Sequence, residues 1–210
     1  MRRIAFLTGS RGEWGYIRPI LQIIENDPTL DYKIIATNMH LLPQFGNSAN
    51  EIEQDGFKIA EKIYMTFDGY ISVTMTKSLA CLMLELPTVL QRLNPDILLL
   101  AGDRGEQLVG AVVGVHMGIP VAHIQAGELS GNVDGVVRHA ITKLAHIHFA
   151  ANQEFANRVK RLGEQEFRVF TTGAPLVDEI ANGVFTPEEE IRRKYRIDQE
   201  DNIIWLSSIR

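Results

Sequence analysis

The stretch Ala101–His148, AGDRGEQLVGAVVGVHMGIPVAHIQAGELSGNVDGVVRHAITKLAHIH, decides the fold class of this chain. Two apolar runs, Ile97–Ala101 and Pro120–Ile124, each stop at a polar cluster that opens a helical pattern. Such alternation is typical of a parallel sheet with helices on both faces. Open sheets of this kind bind ligands in the crevice at the carboxyl ends of their strands. The stretch therefore predicts a doubly wound α/β sheet with its chemistry after Ala101 and after Ile124.

The same alternation extends over most of the chain. Predicted strands lie near residues 3–8, 31–37, 57–64, 96–101, 120–124, 146–150 and 167–171, and helical patterns separate them. The helical pattern Val73–Leu93 contains Pro87, which predicts a kink or break near Leu86 because proline lacks a backbone donor. We expect one Rossmann-like domain over residues 1–180.

The pattern changes after residue 180. Residues 181–210 predict a polar, acid-rich linker, a helix that starts near Thr186-Pro187-Glu188-Glu189, and a strand at Asn202–Ser207. A strand that follows a linker and precedes no helix is expected at the start of a second domain. We therefore expect a second domain that is essentially absent from this chain, together with one wall of the cleft.

Composition and charge indicate a soluble globular protein. The 210 residues are 45% hydrophobic and 22% charged, which suffices for one real core. A net charge of −5 without a basic block argues against nucleic acid or an anionic membrane as the main partner. We recognise no signal peptide and no apolar run long enough to span a bilayer. The single cysteine, Cys81, is expected to be a buried reduced thiol, and the protein to be cytoplasmic.

Ionisable side chains gather around the two predicted strand ends. They are Asp103, Arg104, Glu106, Glu128, Asp134, Arg138 and His139. Any one of these carboxylates can simply cap the next helix, and we place Asp103 at such a cap. Arg104 in a first helical turn opposes the helix dipole, so it suggests a bound anion. The cluster as a whole predicts an active site.

A glycine-rich turn follows the first predicted strand. Residues 9–15, GSRGEWG, precede a helix predicted over Tyr16–Glu25, where backbone amides and Arg11 would face a ligand. A glycine-rich turn of this kind equally often serves only to let the backbone turn tightly and binds no ligand. It matches neither GxGxxG nor a Walker loop, and the second strand ends at Asn38 where a dinucleotide site needs an acidic residue. A nicotinamide-dependent dehydrogenase is disfavoured.

The histidines are interpreted mainly as structural. His146 and His148 alternate along a strand, and His123 supports the loop that follows it. For His139, beside Arg138, structural and functional roles stay open. No pair of histidines has metal-ligand spacing with a carboxylate third ligand, so we expect neither a metal nor a cofactor.

Several long motifs stand in order along the chain. They are SRGEWGYIRPIL (10–21), NMHLLPQFGNSANEIEQDGFKI (38–59), GDRGEQL (102–108), AHIQAGELSGNVDGVVRHAITKLAHIHFAA (122–151) and TTGAPLVDEI (171–180). In these motifs the chain resembles the amino-terminal half of the hydrolysing UDP-N-acetylglucosamine 2-epimerases of the sialic and legionaminic acid pathways. The resemblance implies two Rossmann-like domains of the glycosyltransferase-B type, with a nucleotide sugar between them.

The resemblance also implies a reaction and a set of residues. UDP would leave by elimination across C1 and C2, and water would add to the 2-acetamidoglucal with inversion at C2, giving N-acetylmannosamine. Catalytic positions fall on Asp103 and Asp134, with Glu128 and Gln125 beside them. Candidate substrate-binding residues are Arg11, His40, Arg104, Arg138 and His139. Many relatives carry a catalytic glutamate where this chain has Gln125; since an amide transfers no proton, we interpret the remaining carboxylates as sufficient.

Two other functions stay open at this point. One is a sugar transferase of the same architecture, which would need an acceptor; the other is an inactive half-enzyme that only folds or binds another chain. We expect the chain alone to be weakly active or inactive. A homo-oligomer is possible through the apolar helix that contains Met75, Leu79 and Met83.

Overall fold

A computed structural model describes residues 1–69, 71–181 and 185–198, and its centre is a parallel sheet. The strands are β1 (Arg2–Thr8), β2 (Leu30–Thr37), β3 (Ile59–Ile63), β4 (Ile97–Ala101), β5 (Val121–Ile124), β6 (Ile147–Ala150) and β7 (Val169–Thr171). They lie in the order β3-β2-β1-β4-β5-β6-β7, and every pairing among them is parallel. The predicted doubly wound sheet is confirmed, and each predicted strand is present within a few residues.

Eight helices accompany the strands in the described ranges. They are α1 (Arg11–Glu25), α2 (Ala49–Gln54), α3 (Ser72–Leu93), α4 (Gly105–His116), α5 (Val133–Leu144), α6 (Gln153–Arg161), α7 (Pro175–Ala181) and α8 (Glu188–Tyr195). Short 3-10 turns lie at Asn38–Leu41, Pro43–Phe45 and Glu166–Arg168.

The core lies on both faces of the sheet because successive strand residues point to opposite sides. On β4, Leu98 and Leu100 pack with the helix residues Leu82 and Leu86 on one face. Leu99 packs on the other face, with Trp14 and Ile17 of α1 among its neighbours in that cluster. Burial on both faces explains why these strands read as continuous apolar runs instead of alternating ones.

The strand order reverses between β1 and β4, which are neighbours in the sheet although β2 and β3 come between them in sequence. Strands that follow β1 in sequence run outward on one side, and those that follow β4 run outward on the other. The loops after β1 and β4 therefore diverge and leave a crevice, which is where open α/β sheets bind ligands.

Helix α1 begins earlier than the sequence predicts. It starts at Arg11, so residues expected in a glycine-rich turn form its first turns. Ser10 is the N-cap, and its hydroxyl accepts a hydrogen bond from the backbone N–H of Glu13. This Ser-x-x-Glu spacing is that of a capping box, and it outweighs the low helix propensity of Gly12 and Gly15.

Helix α3 corrects two sequence expectations. It runs unbroken from Ser72 to Leu93 with Pro87 inside, so the predicted break near Leu86 is absent. By length and composition this helix is also apolar enough to cross a membrane, contrary to our expectation that no such run exists. Its residues Leu82 and Leu86 are nevertheless buried against the sheet, as in a core helix.

The last described elements follow the predicted change of pattern near residue 180. Helix α7 packs against α1, and the predicted helix start is confirmed by α8 with Pro187 as its N-cap. The domain boundary at residue 180 stays a prediction. The predicted strand Asn202–Ser207 lies outside the described residues.

Candidate functional site

A cavity of about 550 Å³ opens at the carboxyl edge of the sheet, over the crevice between β1 and β4. The loops after β1, β4 and β5 and the starts of α1 and α5 form it. Its lining includes Ser10, Arg11, Glu13, Ser48, Asp103, Arg104, Gln125, Glu128, Asp134 and Arg138. All site residues that the sequence predicts, except His40 and His139, therefore line one cavity.

Arg138 of α5 ties three parts of this cavity together. Its side chain is only 6% exposed. It forms an ion pair with Asp103, and its Nη1 lies 3.3 Å from Glu128 Oε2. The same Nη1 donates to the backbone carbonyl of Gln125 at 2.9 Å. Ser130 completes the network by donating its hydroxyl to Asp103 Oδ2 at 3.0 Å.

Asp103 does not cap helix α4, which corrects the sequence interpretation. The N-cap of α4 is Arg104, and no side chain there bonds the helix amides. The Asp103 carboxylate turns instead to Arg138, because a buried guanidinium without a carboxylate partner would be far more costly than an uncapped helix end.

Gln125 has a left-handed backbone, with φ of 62°. This conformation is uncommon outside glycine and carries strain that local contacts must offset. Its carbonyl is held by Arg138, and its Nε2 lies 3.4 Å from Glu128 Oε2. The amide therefore orients Glu128, although it transfers no proton itself.

Two carboxyl groups in the cavity have distinct surroundings. Burial raises the pKa of Glu128, and nearby Asp103 adds to this, while Arg138 and Gln125 oppose it. Asp134 lies in the first turn of α5, where Asn132 donates to its carboxylate at 3.0 Å and accepts its backbone N–H at 3.1 Å. A carboxyl with a raised pKa can hold or release a proton closer to neutral pH, as general acid–base chemistry requires.

Arg11 stands at the mouth of the cavity in the first turn of α1. Its Nε donates to both oxygens of Glu51, at 3.0 and 2.9 Å. Both side chains are largely exposed, 57% for Arg11 and 43% for Glu51. An exposed pair of this kind is weakly held, so an incoming anion can exchange with the carboxylate.

The two remaining predicted residues lie outside the lining. His40 is fully buried, with Nε2 at 2.9 Å from Thr8 Oγ1 and Nδ1 at 2.8 Å from Ser48 Oγ. It supports the cavity through Ser48. His139 is half-buried, and its Nδ1 has no hydrogen-bond partner in the described part of the chain.

Sequence reasoning missed Glu13, and it placed Glu106 in the ionisable cluster without giving it a catalytic or substrate-binding role. Both carboxyl groups are buried beside Arg104, and Glu13 lines the cavity. The Ser-x-x-Glu spacing from Ser10 to Glu13 could have placed this glutamate in the first turn of a helix at the crevice.

Buried neutral histidines make the fold sensitive to acid. Burial lowers the pKa of His40 to about 4 and that of His123 to about 3, from an ordinary 6.5. The unfolded chain therefore binds more protons below pH 6.5, and stability falls as pH drops from 6.5 towards 4. We expect the free energy of unfolding to decrease by roughly 1 kcal/mol per pH unit for each histidine over that window.

Urea unfolding between pH 7.5 and pH 4.5 measures this slope. His116→Gln is the matched control, since that ring is exposed at the end of α4 and should leave the slope unchanged. A pH-independent free energy of unfolding across this range would contradict the prediction.

No group of three histidine, cysteine or acidic side chains within residues 1–69, 71–181 and 185–198 is placed to hold a metal ion.

Sequence comparison supports the same family as the motifs. The profile of the UDP-N-acetylglucosamine 2-epimerase family matches residues 22–207. The chain belongs to this epimerase family. It is 37% identical over 206 residues to the UDP-N,N'-diacetylbacillosamine 2-epimerase (hydrolyzing) of Legionella pneumophila, covering 98% of this chain and 55% of that protein. It is 32% identical over 201 residues to the UDP-N-acetylglucosamine 2-epimerase of Neisseria meningitidis, covering 96% and 52%.

Solved epimerase structures share the fold. The Neisseria meningitidis UDP-GlcNAc 2-epimerase bound to UDP-GlcNAc superposes with a TM-score of 0.81 at 18% identity, covering 95% of this chain and 54% of that one. The Methanocaldococcus jannaschii UDP-GlcNAc 2-epimerase gives 0.76 at 22% identity, covering 92% and 52%. This chain thus spans about half the length of the epimerases it matches, and its Rossmann-like sheet corresponds to one half of their fold.

Proposed function

We propose that the protein hydrolyses a UDP-linked N-acetylhexosamine with inversion at C2, releasing UDP and a free sugar of the N-acetylmannosamine type. The observation that carries this proposal is the convergence of Asp103, Glu128 and Asp134 in one cavity with arginines at its mouth and floor. Family membership and the similarity to a hydrolysing diacetylbacillosamine epimerase support it.

The first chemical step in this proposal is an elimination. The bond from C1 to the UDP oxygen breaks with its electron pair on the oxygen, and a carboxylate takes the proton from C2 as the C1–C2 double bond forms. Cleavage of the C1–oxygen bond precedes removal of the C2 proton, because the C–H bond at C2 is only weakly acidic until the ring becomes cationic. A nearby carboxylate stabilises that cation electrostatically. Asp103 and Asp134 are the carboxylates we assign to these roles.

The second step is hydration of the resulting 2-acetamidoglucal. Water adds its oxygen to C1, and a proton is delivered to the opposite face of C2. Glu128 is suited to this proton delivery, because burial raises its pKa and Gln125 orients it. Because Glu128 delivers the proton and Gln125 only orients it, the proposed reaction does not need a carboxyl group at position 125.

The diphosphate needs a cationic environment as it leaves. The start of α1 presents backbone N–H groups at the edge of the cavity, and Arg11 lies in that first turn. Helix N-termini and arginine side chains are favourable binding partners for phosphate oxygens. Arg104 adds a second guanidinium on the β4 side of the crevice.

An acceptor-dependence assay tests the proposed reaction against sugar transfer. Incubation of UDP-N-acetylglucosamine, without any added acceptor, with a purified protein that contains this chain and spans the full length of its relatives should release UDP and free sugar in equal amounts. A matched reaction with UDP-glucose, which lacks the acetamido group, should be much slower. UDP release that appears only when an acceptor sugar is added would overturn the proposal in favour of a transferase.

A further inference from the structure

Two buried glutamates meet at the crevice between β1 and β4. Glu13 comes from the first turn of α1 and is 3% exposed, and Glu106 comes from the first turn of α4 and is 2% exposed. Gly9 lies between them. Its N–H donates to Glu13 Oε2, and a Cβ on Gly9 would clash with Glu106 Oε1. The chain thus needs a glycine here for the two carboxyl groups to approach the same backbone.

One arginine serves both carboxyl groups. Arg104 Nε lies 2.9 Å from Glu106 Oε1 and 4.0 Å from Glu13 Oε1. Glu106 Oε1 also accepts from Asn38 Nδ2 at 3.0 Å. Glu13 Oε1, by contrast, is buried and has no hydrogen-bond partner among the described residues. A buried carboxylate oxygen without a donor is strongly unfavourable when the group is ionised.

The charge balance of this cluster favours one proton on the pair. With both carboxyls ionised, two buried negative charges would face a single guanidinium, and one carboxyl of such a pair resists ionisation. Burial, followed by repulsion from Glu106, raises the pKa of Glu13 well above its ordinary value; the Gly9 N–H, Arg104 and Gln107 oppose this. Other titratable groups near the cluster are His40, whose pKa of about 4 leaves it neutral, and Asp134, which acts on Arg104.

We propose that Glu13 and Glu106 share a single proton and that this singly charged pair positions Arg104 as an anion-binding residue of the cavity. Glu106 fixes Arg104 through Nε, while the two terminal nitrogens make no hydrogen bond within the described residues. The Arg104 side chain is 35% exposed and lines the cavity, so the free end of its guanidinium is available to a ligand. Glu13 and Glu106 are positioning residues here, and their assignment to a diphosphate rests on the proposed function.

The shared proton can be observed without any enzyme assay. We would record carboxyl carbon NMR spectra of the chain labelled with 13C at glutamate Cδ, and assign the pair by the signals missing in Glu13→Gln and Glu106→Gln. At pH 7 one signal of the pair should remain at the position of a protonated carboxyl. In Glu13→Gln this protonated signal should disappear, because Glu106 alone then faces Arg104. Two ionised carboxyls in the unsubstituted chain at pH 7 would overturn the proposal.

A stability comparison gives a second readout. A glutamate whose pKa is raised in the folded state binds its proton more tightly there, so stability falls as pH rises above its ordinary value of 4.5. Glu13→Gln removes this loss, and its Tm should rise relative to the unsubstituted chain between pH 5 and pH 8. Glu166→Gln is the control, because that side chain is exposed and pairs with Lys160. Parallel Tm curves for Glu13→Gln and the unsubstituted chain would contradict the shared proton.

Binding of inorganic pyrophosphate, measured by calorimetry, tests the positioning of Arg104. Glu13→Gln keeps the contact between Glu106 and Arg104 Nε, so its Kd should stay within about threefold of the original. The double variant Glu13→Gln/Glu106→Gln leaves Arg104 unsupported, and its Kd should rise about tenfold, as expected for one charge-assisted contact. An unchanged Kd in a folded double variant would overturn the positioning role.

Turnover assays separate this inference from the proposed function. If UDP-N-acetylglucosamine is turned over, the double variant should raise KM more than it lowers kcat. If a protein that contains this chain and spans the full length of its relatives shows no turnover, the proposed function fails, while the NMR, stability and pyrophosphate measurements still decide whether the pair shares a proton and supports Arg104.

Discussion

In a protein that contains this chain and spans the full length of its relatives, Asp134→Asn and Asp103→Asn are each expected to lower kcat for the nucleotide sugar by about 100-fold or more, the loss typical of a positioned acid or base. Asparagine keeps the shape of aspartate but transfers no proton. Asp134 is the cleaner test, because its carboxylate contacts only Asn132 within the described residues and its loss should leave the fold intact. Asp103 also pairs with buried Arg138, so its substitution should reduce stability as well.

Steady-state kinetics and urea unfolding on the same variants separate these effects. Gln125→Ala should reduce kcat much less than either aspartate variant, because it only removes the hydrogen bond that orients Glu128. Asp27→Asn, at an exposed turn, is the control for the chemical change itself. A value of kcat for Asp134→Asn within about threefold of the original would remove Asp134 from the catalytic set.

Arg138→Met is expected to have the largest effect on stability, a loss of about 3–5 kcal/mol in the free energy of unfolding. Removing this guanidinium leaves Asp103 and Glu128 as half-buried like charges and the Gln125 carbonyl without its donor. Methionine keeps most of the side-chain volume, so lost packing contributes little.

Arg92→Met provides the matched comparison. Arg92 forms an ion pair with Glu61 at 2.6 Å, and its side chain is 56% exposed. Exposed pairs contribute about 1 kcal/mol or less, so this variant should unfold almost as the original does. Equal small losses in both variants would mean that the Arg138 network does not hold the cavity together.

The sheet could be predicted from sequence because its strands are buried on both faces. Runs such as Ile97–Ala101 carry no polar residue and end at polar clusters. Both the strand and the position of the site at its carboxyl end could therefore be predicted. The start of α1 was not recognised, because three glycines in residues 9–15 favour a turn by propensity while the N-cap bond from the Glu13 N–H to the Ser10 hydroxyl favours the helix.

The roles of individual side chains depended on geometry that no local pattern contains. Arg138 and His139 are adjacent in sequence, but the phase of α5 directs Arg138 into the cavity lining and not His139. His40 belongs to a motif of the family, yet its ring points into the domain and reaches Thr8, 32 residues earlier. The pairing of Glu13 with Glu106 likewise depends on β1 and β4 being neighbours, which the sheet order decides.

The central claim is tested most directly by incubating UDP-N-acetylglucosamine in D₂O with a purified protein that contains this chain and spans the full length of its relatives, followed by proton NMR. The proposed elimination and hydration predict UDP together with free N-acetylmannosamine that carries deuterium at C2, and Asp134→Asn should suppress both products together. Free N-acetylglucosamine that keeps its original C2 proton, or a sugar epimer that stays attached to UDP, would contradict the account.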